Sequence, residues 1–378
     1  AEDVGLVAAD ENAWRMPIEQ FTSKIKTEEE LKKLKWRQKA FYKHQNKVVR
    51  GLISAQKQAK KAELGSSASS NSLLDDDEEA EEEKEHGRKE LLRNIAIYGS
   101  FSINVLLLIF KIVAAVLSGS LSVLASALDS FLDLLSGSII FLTELVTQRA
   151  APENYPAGKS RFEPVGIVIF SSCMFTATFQ LMLSSVQSLI THDVELEMSL
   201  IAMLVLLITV VLKTILWLYC REVGDGSESV KALATDHRND VVSNIFGTVA
   251  ALMGFYVRWW IDPAGAVCIS LYLMAVWAST GYEQLSTLTG RAASPDVHQA
   301  LTFVARNHHP AILAIDTVHA YHLGYNYICE IDIVLPPDMP LCEAHDIGEA
   351  LQIKLEALEL VERAFVHLDF ETSHKPEH

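Results

Sequence analysis

Residues 121–146 read LSVLASALDSFLDLLSGSIIFLTELV, an apolar run interrupted by Asp129, Asp133 and Glu144. About 20 apolar residues cross a bilayer as a helix, so the run is long enough to span. Asp129 and Asp133 are spaced i, i+4, which on a helix puts both carboxylates on one face, about 6 Å apart. A second run, residues 231–257, carries Asp236 and Asp240 at the same spacing near its start. Charge near the bilayer centre is costly, so such carboxylates are expected to face the interior of a helix bundle. Oxygen donors of this kind on two helices suit a hard divalent cation crossing a membrane.

Four further stretches reach or approach spanning length: residues 91–117, 164–190, 199–219 and 259–285. The expected fold is therefore an α-helical membrane protein with six transmembrane helices. The formal charge of −16 belongs to the polar remainder, above all to the acidic run 75–85. The five cysteines form no Cys-x-x-Cys pair and are odd in number, and they are expected to be reduced, mostly buried thiols. The first 90 residues are charged and polar, so the first span is expected to serve as the insertion signal. Arg149, Lys159 and Arg161 lie between spans two and three, and Arg221 and Lys231 between spans four and five. Residues 192–197 after span three contain no Lys or Arg, and only Arg258 opposes the trend. The positive-inside rule then places both termini in the cytosol.

The chain divides into a cytosolic tail, residues 1–90, partly disordered; a six-span domain, residues 91–290; and a soluble domain, residues 292–372. Within the tail, residues 24–61 are rich in Lys, Arg and Gln, which suits a solvated helix or tail, or an amphipathic helix on a membrane surface. Residues 65–72 form a Ser-rich linker, and the acidic run after it is expected to be solvated and disordered. Beyond Arg291 the patterning is soluble again. Ser294-Pro295 opens a helix. Residues 311–321 and 327–335 read as strands with Gly324 in the turn between them, 341–358 as a helix and 361–370 as a last strand. The order αββαβ fits a two-layer α+β domain with its helices on one face of a sheet.

The motif DSFLDLLSG at 129–137, the motif DHRNDVVSN at 236–244 and the loop string YPAGKSRFE at 155–163 make residues 90–372 resemble the cation diffusion facilitator family. Among its members they are most similar to the manganese branch, as in plant metal tolerance proteins. The resemblance implies a metal site near the membrane midplane with Asp129, Asp133, Asp236 and Asp240 as ligands. It also implies a ferredoxin-like cytosolic domain, a homodimer, and efflux from the cytosol by proton antiport with no enzymatic step and no resident cofactor. Divalent metal, membrane lipid and a second copy of the chain are the expected partners, and nucleic acid is not. An endomembrane location (vacuole, Golgi or prevacuolar) is expected ahead of the plasma membrane.

Zinc-transporting relatives carry His at the position of Asp236. Zinc favours nitrogen and sulfur, whereas manganese accepts oxygen sets, so Mn2+ is the expected cargo, with Fe2+, Zn2+, Co2+ and Cd2+ as alternatives. His237 lies about 100° further round the helix and is expected to turn away from the carboxylates, as an interhelical residue. Asn104 and Asn244 are expected to hydrogen-bond between helices. Arg161 and Glu163 are expected to form an ion pair in a loop without metal. Glu144 and Lys213 are expected to snorkel or pair, Lys111 to offset a bundle carboxylate, and residues 118–120 to make a tight turn. In the soluble domain the family's interfacial metal positions correspond to His319, Asp332, His345, His367 and Asp369, a secondary site. His367 and Asp369, two apart on a strand, share a face.

In the implied mechanism, crowded carboxylates repel one another and take up protons when no metal is present. Metal entering from the cytosol displaces the protons, and an acidic lumen returns them and releases the ion. An intramembrane aspartyl protease would need Gly-x-Gly-Asp, which Gly224-Asp225-Gly226 does not match. A metal-sensing scaffold that does not transport is the remaining rival.

Overall fold

A computed structural model describes residues 15–67, 75–118, 121–148, 155, 158–191, 200–224 and 227–373. It forms two compact units: residues 72–289, and residues up to 71 together with those from 290 onward. The segments 119–120 and 192–197, expected as a tight turn and a loop without Lys or Arg, lie outside the described residues.

The first unit consists of α4 (Asp75–Ser118), α5 (Leu121–Gln148), α6 (Phe162–Thr191), α7 (Leu200–Val223), α8 (Glu228–Tyr256) and α9 (Ile261–Leu288). All but α8 are long and apolar enough to cross a membrane. Glu228, Lys231, Asp236, Arg238 and Asp240 lower the hydropathy of α8, yet its 29 residues extend roughly 43 Å, enough to span. The acidic run expected to be disordered is helical backbone from Asp75 and continues into the first span.

Small residues bring the helices together, as expected where lipid offers no hydrophobic drive. A Cβ on Gly166 of α6 would lie 2.3 Å from Thr143 Oγ1 of α5, and one on Gly281 of α9 would lie 2.8 Å from Ser171 Oγ of α6. Both hydroxyls donate to carbonyls of their own helix, Ile139 and Val168, so they need no partner across the seam. Phe170 and Trp277 fill the α6–α9 interface edge to face, their ring centroids 5.3 Å apart.

A charged network ties one end of the bundle. Arg93 of α4 donates to Glu144 of α5 at 2.8 Å and lies 3.9 Å from Glu163 of α6. Glu163 Oε1 also accepts the Ser229 N–H at 2.9 Å and the Ser227 hydroxyl at 3.3 Å, at the start of α8. The expected pairings differ on two counts. Glu144 takes Arg93 instead of Lys213, and Glu163 turns inward to α8 while Arg161 is exposed. An inward carboxylate at a helix start finds free N–H donors that an exposed arginine cannot match. Of the cysteines, Cys220 and Cys329 are buried, but Cys173, Cys268 and Cys342 are exposed, so "mostly buried" is corrected.

The second unit contains α10 (Pro295–Arg306), β1 (Ala314–Leu323), β2 (Asn326–Val334), α11 (Leu341–Glu356) and β3 (Val361–Asp369), the expected αββαβ order. The sheet order is β1-β2-β3, antiparallel then parallel. Gly324 has φ +72° in the β1–β2 turn, a conformation glycine adopts freely. Cys329, Ile331, Ile333 and Ala364 are buried on the face covered by the helices. Burial pushes the Cys329 thiol up to about 12.

The N-terminal residues belong to this unit. After the short helices α1 (Glu19–Thr22) and α2 (Glu28–Lys32), α3 (Trp36–Ser67) packs on α10 and α11. Val49, Leu52, Ala55 and Ala59 are buried, and the two alanines join the core of Leu301, Leu351 and Leu355. Phe21 meets Phe303 at 6.1 Å, and the Met16 N–H donates to Asn307 Oδ1 at 2.8 Å. The tail expected to be solvated, partly disordered or membrane-bound is, in its described part, a docked helix. Two of its four buried apolar residues are alanine, so a Lys-rich composition hides its packing face.

Two consequences can be measured. Arg93→Ala should lower the stability of the purified protein by about 3 kcal/mol, because the buried Glu144 then loses the Arg93 guanidinium at 2.8 Å, and a double Arg93→Met/Glu144→Met variant should regain most of the loss. Ala55→Asp should cost about 2–3 kcal/mol by placing a carboxylate against an apolar core, and should expose α3 to limited proteolysis. Thermal unfolding in detergent reads both.

Candidate metal centre

The i, i+4 spacing brings Asp236 and Asp240 to one face of α8, where they meet α5 and α7. Asp236 is buried and Asp240 half-buried. Ligand atoms of Asp236, His237 and Asp240 all lie within 4.8 Å of one another. Asp133 of α5 joins through Lys213 of α7, whose ammonium donates to Asp133 Oδ2 at 3.2 Å and to Asp240 Oδ2 at 2.5 Å. Three of the four expected carboxylates therefore surround one place. Asp129 stands one turn away on α5, outside the cluster and exposed on the helix surface.

His237 is completely buried and does two things at once. Its Nε2 is hydrogen-bonded to Ser100 Oγ of α4 at 3.0 Å, the interhelical role expected for it. Its Nδ1 lies 4.0 Å from Asp236 Oδ2, so the ring is not turned away from the carboxylates. The helical rotation of about 100° per residue separates Cβ directions, but an imidazole is long enough to reach back. Ser100 holds the far nitrogen, the arrangement that orients a ligating imidazole.

Asp236 Oδ1 and His237 Nδ1 are buried without a hydrogen-bond partner, and so is Asn104 Oδ1 on α4. Leaving buried polar atoms unmatched costs about 1–3 kcal/mol each. A cation between the first two would satisfy both, so the donor set fits a metal ion. The expected interhelical bonds of the asparagines differ. Asn244 donates to the Asp240 carbonyl of its own helix at 2.7 Å, and Asn104 faces Gly137 of α5.

Sequence reasoning missed Lys213 as a member of this site. The signal was present, since a lysine in mid-span raises the same question as an aspartate there. Lys111 of α4 is also buried, with Asp133 and Asp129 in electrostatic reach, in keeping with its expected role as a counter-charge.

On the open face of the soluble sheet, Asp332 of β2 is in register with His367 of β3. His367 Nδ1 lies 3.7 Å from Asp332 Oδ1 and 3.6 Å from Asp369 Oδ2, and the three form a second cluster with metal-holding geometry. The Thr317 hydroxyl donates to Asp332 across the β1–β2 register. His319 on β1 is exposed opposite Glu330 and outside this cluster. His345 on α11 is exposed beside its own neighbour Asp346. The structure thus gathers three of the five expected residues.

Comparison with known proteins agrees with this architecture. Residues 97–289 match the model of the cation efflux transmembrane domain, and residues 293–371 match that of the cation efflux protein cytoplasmic domain. The chain is 48% identical over 280 residues to metal tolerance protein 11 of Arabidopsis thaliana, covering 73% of this chain and 70% of that one. Identity is also 48% over 280 residues to metal tolerance protein 5 of Oryza sativa subsp. japonica, covering 73% and 67%. Metal tolerance protein 10 of Arabidopsis thaliana is 45% identical over 300 residues, covering 78% and 69%. The chain belongs to the cation efflux (cation diffusion facilitator) family and is a multi-pass membrane transporter of divalent cations, not an enzyme.

Proposed function

We propose that the transported ion is Mn2+, that it binds at Asp133, Asp236, His237 and Asp240 with Asp129 one turn away on the same route, and that protons are exchanged for it. The observation that carries this reading is the junction of α5 and α8: three carboxylates meet at one place, with Asp236 Oδ1 and His237 Nδ1 buried and unmatched there. A carboxylate-dominated set suits manganese, and the aspartate at 236 removes the imidazole that a zinc site would favour at that position. The nearby His237 nitrogen makes Fe2+, Co2+, Zn2+ and Cd2+ the competing cargoes. Carboxylates crowded in an apolar bundle accept protons when the metal leaves, which makes the exchange two-way.

The short-loop charges put both termini in the cytosol and make the direction efflux, into an acidic endomembrane compartment such as vacuole or Golgi, where luminal protons drive release. The cytoplasmic domain joins two copies into a homodimer, in keeping with its family match and with closed two-fold symmetry as the commonest assembly. Asp332, His367 and Asp369 form a secondary metal site on its open sheet face.

Two expectations follow for purified protein in proteoliposomes. Asp133→Ala and Asp240→Ala should each reduce Mn2+ flux to the level of empty vesicles while the protein remains folded, and normal flux would remove that residue from the site. Asp236→His should shift competition between Zn2+ and labelled Mn2+ toward zinc by about tenfold, or about 1.4 kcal/mol. An unchanged ratio would place selectivity elsewhere, for example in Asn244.

A further inference from the structure

Lys213 is buried to 1% exposure, as deeply as Asp236, and it lies at the centre of the site instead of at its edge. Its ammonium touches one carboxylate from α5 and one from α8, the two helices whose carboxylates make up the site. The neighbouring Asp236 has an oxygen without a hydrogen bond, so the ammonium fills part of the cluster and leaves part of it unmatched.

An ammonium and a divalent ion compete for the same lone pairs. Asp240 Oδ2 at 2.5 Å from Nζ is a weaker metal ligand while the ammonium holds it, because two cations at one oxygen repel each other. Lysine suits such a part. It is a compact point charge on a flexible four-carbon stem, able to swing away while remaining attached.

We propose that Lys213 is a tethered competitor of the cargo: its ammonium holds Asp133 and Asp240 together when no ion is bound, an arriving divalent ion displaces it, and its return helps to expel the ion. The inference rests on the reading of Asp133, Asp236 and Asp240 as the transport site. A transporter needs a site attractive enough to enter and weak enough to leave, and a built-in competitor supplies the second property without removing ligands. The same ammonium keeps α5, α7 and α8 joined through the ion-free part of the cycle, when the carboxylates would otherwise repel one another.

The test uses the full chain, with Mn2+ as the probe. In Lys213→Met and in the polar variant Lys213→Gln, Mn2+ should bind at least about tenfold more tightly than in wild type, equivalent to about 1.4 kcal/mol. The same variants should unfold at lower temperature without ion and gain more from added Mn2+ than wild type does, because the ion takes over the ammonium's task. Their release step should slow, seen as counterflow falling while binding rises. In the wild type, reductive methylation of Lys213 followed by mass spectrometry should be slow without ion and faster with saturating Mn2+, a readout that survives if both variants fail to fold. Equal or weaker Mn2+ binding in folded variants, or Lys213 labelling unmoved by Mn2+, would overturn the proposal and leave Lys213 a fixed structural tie. Asp240→Asn in parallel keeps the two ideas apart. If it retains wild-type Mn2+ binding, the site reading has failed, whatever the lysine variants do.

Discussion

The ammonium of Lys213 between Asp133 and Asp240 is the contact on which the membrane unit depends. Charged side chains inside a bilayer are tolerated only when paired or hydrated, and here one lysine serves carboxylates from two helices. That sets the arrangement around it. Helices α5, α7 and α8 must converge, α8 must accept low hydropathy across its first half, and His237 must be held by Ser100 so that its other nitrogen faces Asp236. Replacing these charges by apolar groups of similar volume would spare their desolvation cost.

The other charged network is of a different kind. Arg93, Glu144 and Glu163 fasten three helices and the start of α8, and they form no comparable cluster of metal donors among the described residues. One network gathers the proposed ligands and the other positions α8, the helix that carries three of them. The residues between them on α8, from Ser229 to Asp236, cover about two helical turns, roughly 11 Å. A movement at the Glu163 end would therefore be felt at Asp236 through a single rigid element.

Much of this was legible beforehand. Asp129, Asp133, Asp236 and Asp240 announce themselves because carboxylates are rare in apolar runs, and the αββαβ order follows from strand alternation and from Gly324 and Pro295 at their turns. What escaped were relations between elements distant in sequence. Nothing local to Lys213 says that its partners lie 80 and 27 residues away, and nothing local to Glu144 says that Arg93, 51 residues earlier, will reach it first. The docking of α3 was hidden for another reason: alanines such as Ala55 and Ala59 bury well but raise hydropathy little, so a lysine-rich helix conceals its packing face. Asp129 shows the converse, since the spacing that pairs it with Asp133 does not ensure that both reach the same place.

The central claim is that this bundle exchanges a divalent cation, manganese ahead of its competitors, for protons at the α5–α8 carboxylates. It is tested most directly by wild-type protein in proteoliposomes with an acidic lumen, offered Mn2+, Fe2+, Co2+, Zn2+ and Cd2+ in turn. The account predicts that Mn2+ accumulates fastest and that accumulation stops when a protonophore collapses the pH difference. Accumulation unaffected by the protonophore, or no uptake of Mn2+ while another ion is carried, would contradict it.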